Sequence, residues 1–238
     1  MDTFIRKPKD EQRLYFEQAQ AKLGLPPESI EKDFWVCWTL WQLFNLSEWN
    51  KHFTFKGGTS LSKAWGLIER FSEDIDMVIS RDFLGFGGEQ SPDRASSRKQ
   101  RTKRLEGIRG ACQKRIRVDL KPALEQCFRK VIPPGVEWSL DIATPEEDPD
   151  GQTLLFQYPG TLAGNLAYLR TQVKIELGAR SDTWPSESPR IRPYLADAFP
   201  NIFEVDKFVP LRTPVDYKEF KYWEDYFDRL GHHPYAKE

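Results

Sequence analysis

The sequence predicts an α+β fold in which helices flank a mixed β-sheet. Three observations support this class: a long apolar helical pattern lies before residue 46, short alternating strand patterns lie between residues 52 and 180, and the two patterns interleave without an internal repeat. At 238 residues the chain is long enough to bury a real core. Its 13% aromatic content excludes a disordered polymer.

The first elements are predicted to be two helices. One is expected over residues 10–23, where Gly24 and Pro26 end it, and another begins near Pro27 and runs through "IEKDFWVCWTLWQLF". Lys32 and Asp33 fall on the more polar side of this second helix. Its other side favours core packing and carries Ile30, Phe34, Cys37, Trp38 and Trp41.

A strand–turn–helix–strand unit is predicted next. "HFTF" alternates like a short strand, "GGTS" is typical of a turn, "LSKAWGLIERF" is expected to be helical, and "DIDMVIS" is the following strand. Residues 85–97 have the composition of a flexible loop.

The second half of the chain begins with a predicted basic helical region from Arg98 to Lys130. Three strands are expected after it, in "VEWSLDIA", "TLLFQYP" and "RTQVKIELGAR". The part from Thr183 holds seven of the seventeen prolines and gives weak signals until an aromatic helix near residues 222–230. The expected organisation is an N-terminal helical segment over 1–52, a core over 53–212 with a basic helical insertion near 94–130, and a short C-terminal tail over 213–238.

Composition excludes a membrane protein and indicates a reduced compartment. No window approaches the roughly 20 apolar residues of a membrane span, and the N-terminus lacks the apolar core of a signal peptide. Cys37, Cys112 and Cys127 are odd in number and lack metal-type spacing, so they are expected to be free thiols. We therefore expect a cytoplasmic protein with no membrane partner.

Charge is distributed unevenly along the chain. The net charge is −1, yet the segment from Asp93 to Lys121 carries eleven Lys or Arg against three acids. A local excess of this kind favours a nucleic-acid partner, while the alternative is a solvated helix with a mixed face. The best candidates for nucleic-acid contacts are Arg98, Lys99, Arg101, Lys103 and Arg104.

Two aspartates in the "DIDMVIS" strand are candidate metal ligands. Because side chains alternate along a strand, Asp74 and Asp76 project from one face, and their mutual repulsion favours a cation between them. Mg²⁺ suits such oxygen ligands and commonly binds together with a substrate phosphate. A D-x-D pair alone is often a solvent-facing strand edge, so the neighbouring turn matters.

The "GGTS" turn is a candidate phosphate site. Gly57 and Gly58 allow backbone N–H groups to approach an anion, and Thr59 and Ser60 add hydroxyl donors at the start of the predicted helix. A glycine pair alone is usually only a turn. The order of turn, helix and D-x-D strand favours the functional interpretation.

A third carboxylate is expected on a neighbouring strand. In "QVKIELG", Lys174 and Glu176 share the polar face, so Glu176 could complete the trio and Lys174 could neutralise a polyphosphate. An exposed ion pair is the alternative, and Asp141 in "VEWSLDI" competes as the third ligand.

Three carboxylates with two Mg²⁺ ions support nucleotidyl transfer. The scattered histidines offer no Ser–His–Asp set, and there is no Walker-type glycine–lysine motif.

These residues resemble the first motif of the DNA polymerase beta-type nucleotidyltransferases, and most closely the AbiEii/AbiGii toxins of bacterial abortive-infection systems, which act in phage defence. The resemblance lies in "FKGGTSLSKAWGLIERFSEDIDMVI", in "EKDFWVCWTLWQLF" and in "VKIELGAR". It implies a nucleotidyltransferase-type sheet, Mg²⁺, an NTP donor, an RNA acceptor that is a tRNA end, and a cognate antitoxin. It also implies metal ligands at Asp74, Asp76 and Glu176, and a nucleotide contact at Lys174. The phosphate-binding set it implies is Gly57, Gly58, Thr59, Ser60, Arg70 and Ser72.

The resemblance weakens after "VPLRTP". Members of that family usually continue into a helical domain, whereas "VDYKEFKYWEDYFDRLGHHPYAKE" follows here, so the C-terminal helical part is expected to be short or missing. Two alternatives stay open. One is an enzyme that places a nucleotide on a protein hydroxyl, and the other is a degenerate module that binds a nucleotide or a partner without turnover.

Overall fold

The computed structural model describes residues 1–68, 71–162, 170–180, 186–203, 209–210 and 212–214. Its first helices are α1 (Asp2–Ile5), α2 (Lys9–Leu23) and α3 (Pro27–Asn45). Gly24 ends α2 with φ +68°, a conformation that glycine adopts without strain. Both helices predicted before residue 46 are confirmed.

Helix α3 is the central helix of the hydrophobic core. Three of its aromatic side chains, Phe34, Trp35 and Trp38, are at most 1% exposed. The helix contacts α2, the sheet and segments from the second half of the chain, so its surface has no solvent side. The expectation that Lys32 and Asp33 lie on a polar side is wrong, because both residues are only 3% exposed.

A five-stranded mixed sheet packs against α3. Its strands are β1 (Phe53–Lys56), β2 (Ile75–Ile79), β3 (Ser139–Ile142), β4 (Thr153–Gln157) and β5 (Gln172–Gly178). The spatial order is β1-β2-β5-β4-β3, in which β2 and β5 are parallel and every other neighbouring pair is antiparallel. The predicted α+β class with a mixed sheet and flanking helices is confirmed.

Helix α4 (Gly57–Lys63) follows β1 without an intervening turn. The sequence predicts a turn at "GGTS" and a helix that starts at Leu61. Both predictions are wrong, because the helix already includes these four residues. Gly57 has φ +78°, which redirects the chain within one residue, so the helix begins at the glycines. It ends at Lys63, well before the predicted end.

The basic helical region is continuous. Helices α5 (Arg98–Arg115) and α6 (Lys121–Val131) are joined by a π-helical turn over Ile116–Leu120. Pro122 lies in the first turn of α6, and a proline lacks the N–H needed to continue the regular α-helical bonds. The predicted apolar stripe is confirmed, since Ile108, Cys112, Ile116 and Leu120 are all at most 1% exposed.

Short elements follow β5. They are β6 (Ser186–Glu187), β7 (Arg190–Ile191), α7 (Tyr194–Ala198), β8 (Val209–Pro210) and β9 (Thr213–Pro214), with β6 paired to β9 and β7 to β8. The predicted helix near residues 222–230, like nearly all of the predicted tail, lies outside the described residues. Within the described part of the chain, no helix is both long and apolar enough to cross a membrane.

Candidate active site

The candidate site lies where β2 and β5 run side by side. Asp74 directly precedes β2 and is exposed, whereas Asp76 lies within the strand and is partly buried. In the parallel register, Asp76 is opposite Glu176 of β5. On its other side, Asp76 is opposite Lys56 of β1. Two strands that lie far apart along the chain therefore bring carboxylates together.

Strand order separates the two candidates for a third carboxylate, Glu176 and Asp141. Asp141 lies on β3, which is separated from β2 by both β5 and β4, and its in-register partner is Leu155 of β4. Glu176 lies on the strand adjacent to β2. Of the two candidates for a third carboxylate, only Glu176 is next to Asp76.

The carboxylates disfavour one another's ionisation. Burial raises the pKa of Asp76, and the neighbouring Glu176 raises it further, while Lys56 opposes the shift. Asp74 is exposed, but the partial loss of its hydration still raises its pKa, with a further contribution from Glu73. A cation bound among these groups would relieve that repulsion.

Lys174 and Glu176 form an ion pair on the polar face of β5. The hydrogen bond to Glu176 raises the pKa of Lys174, so its ammonium stays charged at neutral pH. Both side chains keep more than a third of their surface exposed. The pair is therefore open to solvent, and either group can reach a ligand.

The start of α4 is packed against Asp76. A Cβ atom on Gly57 would lie 2.6 Å from Cγ of Asp76 and still closer to Oδ2. Only glycine leaves room for that carboxylate, and the positive φ of Gly57 independently favours glycine. Gly58, the next residue, lies in the first turn of α4, where a backbone N–H has no acceptor within the helix.

The hydroxyl groups expected to face a phosphate are engaged inside the protein. The Thr59 hydroxyl donates to the backbone carbonyl of Asp74 at 2.6 Å and lies 2.8 Å from the Ser72 hydroxyl. The Ser60 hydroxyl is hydrogen-bonded to that of Thr213. Thr59 and Ser60 are at most 2% exposed, so their side chains fix α4 in place. Arg70 lies outside the described residues.

Two buried lysines near the site escape the sequence prediction. Lys32 Nζ lies 3.2 Å from Oε2 of Glu73, the residue before Asp74. Lys63 Nζ of α4 lies 2.7 Å from Oδ1 of Asp33, and both of these side chains are at most 7% exposed. Burial opposes the charge on Lys63, yet Asp33 holds the pKa of Lys63 above its usual value. The signal that could have found Lys32 is the charged run Glu31–Asp33 inside an apolar helix.

The basic candidates divide into two groups. Four of them lie exposed on the first two turns of α5: Arg98, Lys99, Arg101 and Lys103. Arg104 is partly buried, and its Nη1 donates to the backbone carbonyl of Ser91 at 2.6 Å. Arg104 is therefore already committed to holding the preceding loop.

The donor set fits a hard divalent cation in its chemistry. Asp74, Asp76 and Glu176 offer carboxylate oxygens, which Mg²⁺ prefers. Within the described ranges, no three metal-ligating side chains already converge on one point. Glu176 is ion-paired with Lys174 and lies opposite Asp76, so a cation bound here would compete with Lys174 for the Glu176 carboxylate.

Comparison with protein families identifies the chain. The model of the family described as "Nucleotidyl transferase AbiEii toxin, Type IV TA system" matches residues 38–212, well over half of the sequence. The chain belongs to the AbiEii family. The matched range contains Gly57, both aspartates at β2 and the Lys174–Glu176 pair, and the resemblance expected from the sequence is confirmed.

Other comparisons add little to the AbiEii assignment. No curated protein matches. Among solved structures, the chain is similar to MenT4, a nucleotidyltransferase toxin from Mycobacterium tuberculosis H37Rv, with 18% identity and a TM-score of 0.38. The match covers 75% of this chain and 47% of that one, so the chain spans about half the length of MenT4.

Proposed function

We propose that this AbiEii-family protein is a Mg²⁺-dependent nucleotidyltransferase that transfers a nucleotide from an NTP to an RNA end. One observation carries the proposal: the parallel register of β2 and β5 places Glu176 beside Asp76, which in turn packs against Gly57. Carboxylates beside the N-terminal end of a helix suit a metal-bound polyphosphate.

The positions of the residues support the following roles within this proposal. Asp74, Asp76 and Glu176 would hold Mg²⁺, which when bound supplies activation of the attacking hydroxyl and charge neutralisation on the phosphates. Gly57 and Gly58 let the backbone approach the phosphates closely. Thr59 contributes through its backbone N–H group in the first turn of α4, because its hydroxyl is engaged, and the buried Ser60 hydroxyl holds the helix in place through Thr213. Lys174, once released from Glu176, neutralises charge on the nucleotide.

The acceptor is assigned from charge. Arg98, Lys99, Arg101 and Lys103 are exposed, and no ion pair occupies them in the described part of the chain. A cluster of accessible cations favours an RNA backbone, and we propose a tRNA end as the acceptor. Because the family acts in type IV toxin–antitoxin systems, we also propose a cognate antitoxin and a cytoplasmic site of action.

The test is transfer of label. The protein is incubated with total bacterial RNA, Mg²⁺ and each α-³²P-labelled NTP, alongside the double variant Asp74→Asn/Asp76→Asn. The matched control is Asp141→Asn, which removes a carboxylate from the far strand β3. Label in RNA with the wild type and the control, but not with the double variant, supports the proposal. Label on a protein would assign a protein acceptor instead, and NTP binding without any transfer would contradict an enzymatic function.

A further inference from the structure

Helix α3 carries three consecutive charged residues that are almost completely buried. Glu31, Lys32 and Asp33 are 2%, 3% and 3% exposed. Each of them contacts a different segment. Glu31 accepts hydrogen bonds from the backbone N–H groups of Thr161 and Leu162, at 2.7 and 3.2 Å. Asp33 forms an ion pair with Lys63. Burying three adjacent charges is costly unless each is paired. The partner of each charged side chain therefore shows which segment of the protein that side chain holds in place.

Lys32 differs from its neighbours because its ammonium group joins the two strands of the candidate site. Its Nζ donates to the backbone carbonyl of Arg170 at 3.0 Å and to that of Gln172, the first residue of β5. The same Nζ lies 3.2 Å from Oε2 of Glu73, on the segment that leads into β2. One ammonium therefore holds the beginnings of both parallel strands.

The residues that contact Lys32 lie close along the chain to the carboxylates of the candidate site. Glu73 is next to Asp74, and Gln172 lies four residues before Glu176 on the same strand. Since Asp76 and Glu176 are opposite each other in the parallel register, a shift at the beginning of either strand would change the separation of their side chains. Tyr158 also lies near the ammonium, with its ring centre 6.0 Å from Nζ, and helps to enclose it.

We propose that Lys32 is a positioning residue, whose buried ammonium sets the spacing between β2 and β5 and so holds the carboxylates at the separation that a divalent cation needs. The part of this proposal that concerns the cation rests on the proposed function. The part that concerns the strands does not. Lys32 is not itself a ligand, because its contacts are a carboxylate outside the trio and two backbone carbonyls.

The experiment uses three variants of the full chain. Lys32→Met keeps the length of the side chain and removes the ammonium. Lys32→Met/Glu73→Gln also removes the charge that the first change leaves uncompensated, so that no carboxylate is left without its ammonium partner. Glu31→Ala is the matched control: it breaks buried contacts of the same helix with Thr161 and Leu162, and it touches none of the acceptors of Lys32.

Two readouts separate positioning from general stability. Hydrogen exchange measures protection of Ile75–Ile79 and Gln172–Gly178, and electron paramagnetic resonance measures binding of Mn²⁺ as the probe cation. We expect the double variant to lose protection in both strands and to bind Mn²⁺ at least about 10-fold more weakly, as expected when a group that orients metal ligands is removed. Glu31→Ala is expected to keep both properties.

The outcomes are distinguishable. Wild-type protection and wild-type Mn²⁺ affinity in the double variant would overturn the proposal, because the ammonium would then serve only to compensate Glu73. An equal loss in Glu31→Ala would also overturn it, because the effect would be one of stability. If the wild type does not bind Mn²⁺ while the double variant still loses strand protection, the positioning role stands and the proposed metal-dependent function fails.

Discussion

Gly57 and Asp76 occupy one compact space at the junction of β1, α4 and β2. Any side chain at position 57 would overlap the Asp76 carboxyl group, so the chain passes this close to Asp76 only because residue 57 is a glycine. This contact fixes the start of α4 relative to the D-x-D strand, and it makes the helix and the carboxylates a single unit.

Gly57→Ala is expected to abolish transfer and to destabilise the fold by more than about 1 kcal/mol, since it combines a positive φ with a collision at Asp76. Gly135→Ala is the matched control, because Gly135 has φ +82° with open space around its Cβ position. Activity and thermal unfolding are measured for both. Equal activity in the two variants would show that the contact with Asp76 is irrelevant to function.

Asp76→Asn is expected to reduce transfer by about 100-fold or more while preserving the fold, because it removes the charge of a proposed metal ligand at constant volume. It should also raise the melting temperature in the absence of metal. The pKa of Asp76 is raised in the folded state, so its ionised form destabilises the fold above that pKa. The gain should disappear in acid, where the wild-type carboxyl group is protonated. A lower melting temperature at neutral pH would contradict this electrostatic account.

Lys174→Ala is expected to raise the apparent KM for NTP more than it weakens binding of RNA. The change removes the cation proposed to contact the nucleotide and leaves Glu176 without its ion-pair partner. Steady-state kinetics at varied NTP checks this, with Lys103→Ala as a control that removes an equal charge from α5. An unchanged KM for NTP would count against the role of Lys174.

Arg101→Ala/Lys103→Ala is expected to reduce the slope of log affinity against log salt for RNA by about one for each phosphate group that the variant no longer neutralises. The control is Arg94→Ala/Arg109→Ala, which removes equal charge from residues already paired with Glu89 and Asp150. Binding is titrated across a range of salt concentrations. If the slope changes equally in both variants, the effect is one of total charge, and Arg101 and Lys103 make no specific contacts with RNA.

Lys63→Met is expected to destabilise the protein by about 3–5 kcal/mol, because it leaves Asp33 buried without a partner. The double variant Asp33→Asn/Lys63→Met should recover part of that loss, since the asparagine can still accept the hydrogen bond that Tyr194 N–H donates to Asp33. Urea unfolding of the wild type and both variants measures the difference. Equal stability of the single and double variants would show that the ion pair is not the cause.

Alternation along the chain is sufficient to predict the parts of the site that lie on strands. It places Asp74 and Asp76 together and Glu176 beside Lys174, although only the strand order excludes Asp141 as a neighbour. The two aspartates are recognisable because a carboxylate pair stands out in an apolar run.

Burial is the property that the sequence does not predict. Helical periodicity assumes one solvent side, and α3 has none, so it assigns Lys32 and Asp33 to a surface that does not exist. The hydroxyls of Thr59 and Ser60 look available in a "GGTS" motif, yet their partners, Asp74 and Thr213, lie far along the chain. Contacts of that kind depend on tertiary packing, which local pattern does not encode.

The parallel pairing of Asp76 with Glu176 also determines when the candidate site is assembled during synthesis of the chain. A ribosome that has just finished β2 must add about 90 more residues before β5 begins, which takes roughly 5–20 s at usual elongation rates. Throughout that interval the nascent chain carries Asp74 and Asp76 without the strand that completes the sheet. Asp76 and Glu176 therefore come together only late in synthesis, when β5 has emerged and joined the sheet.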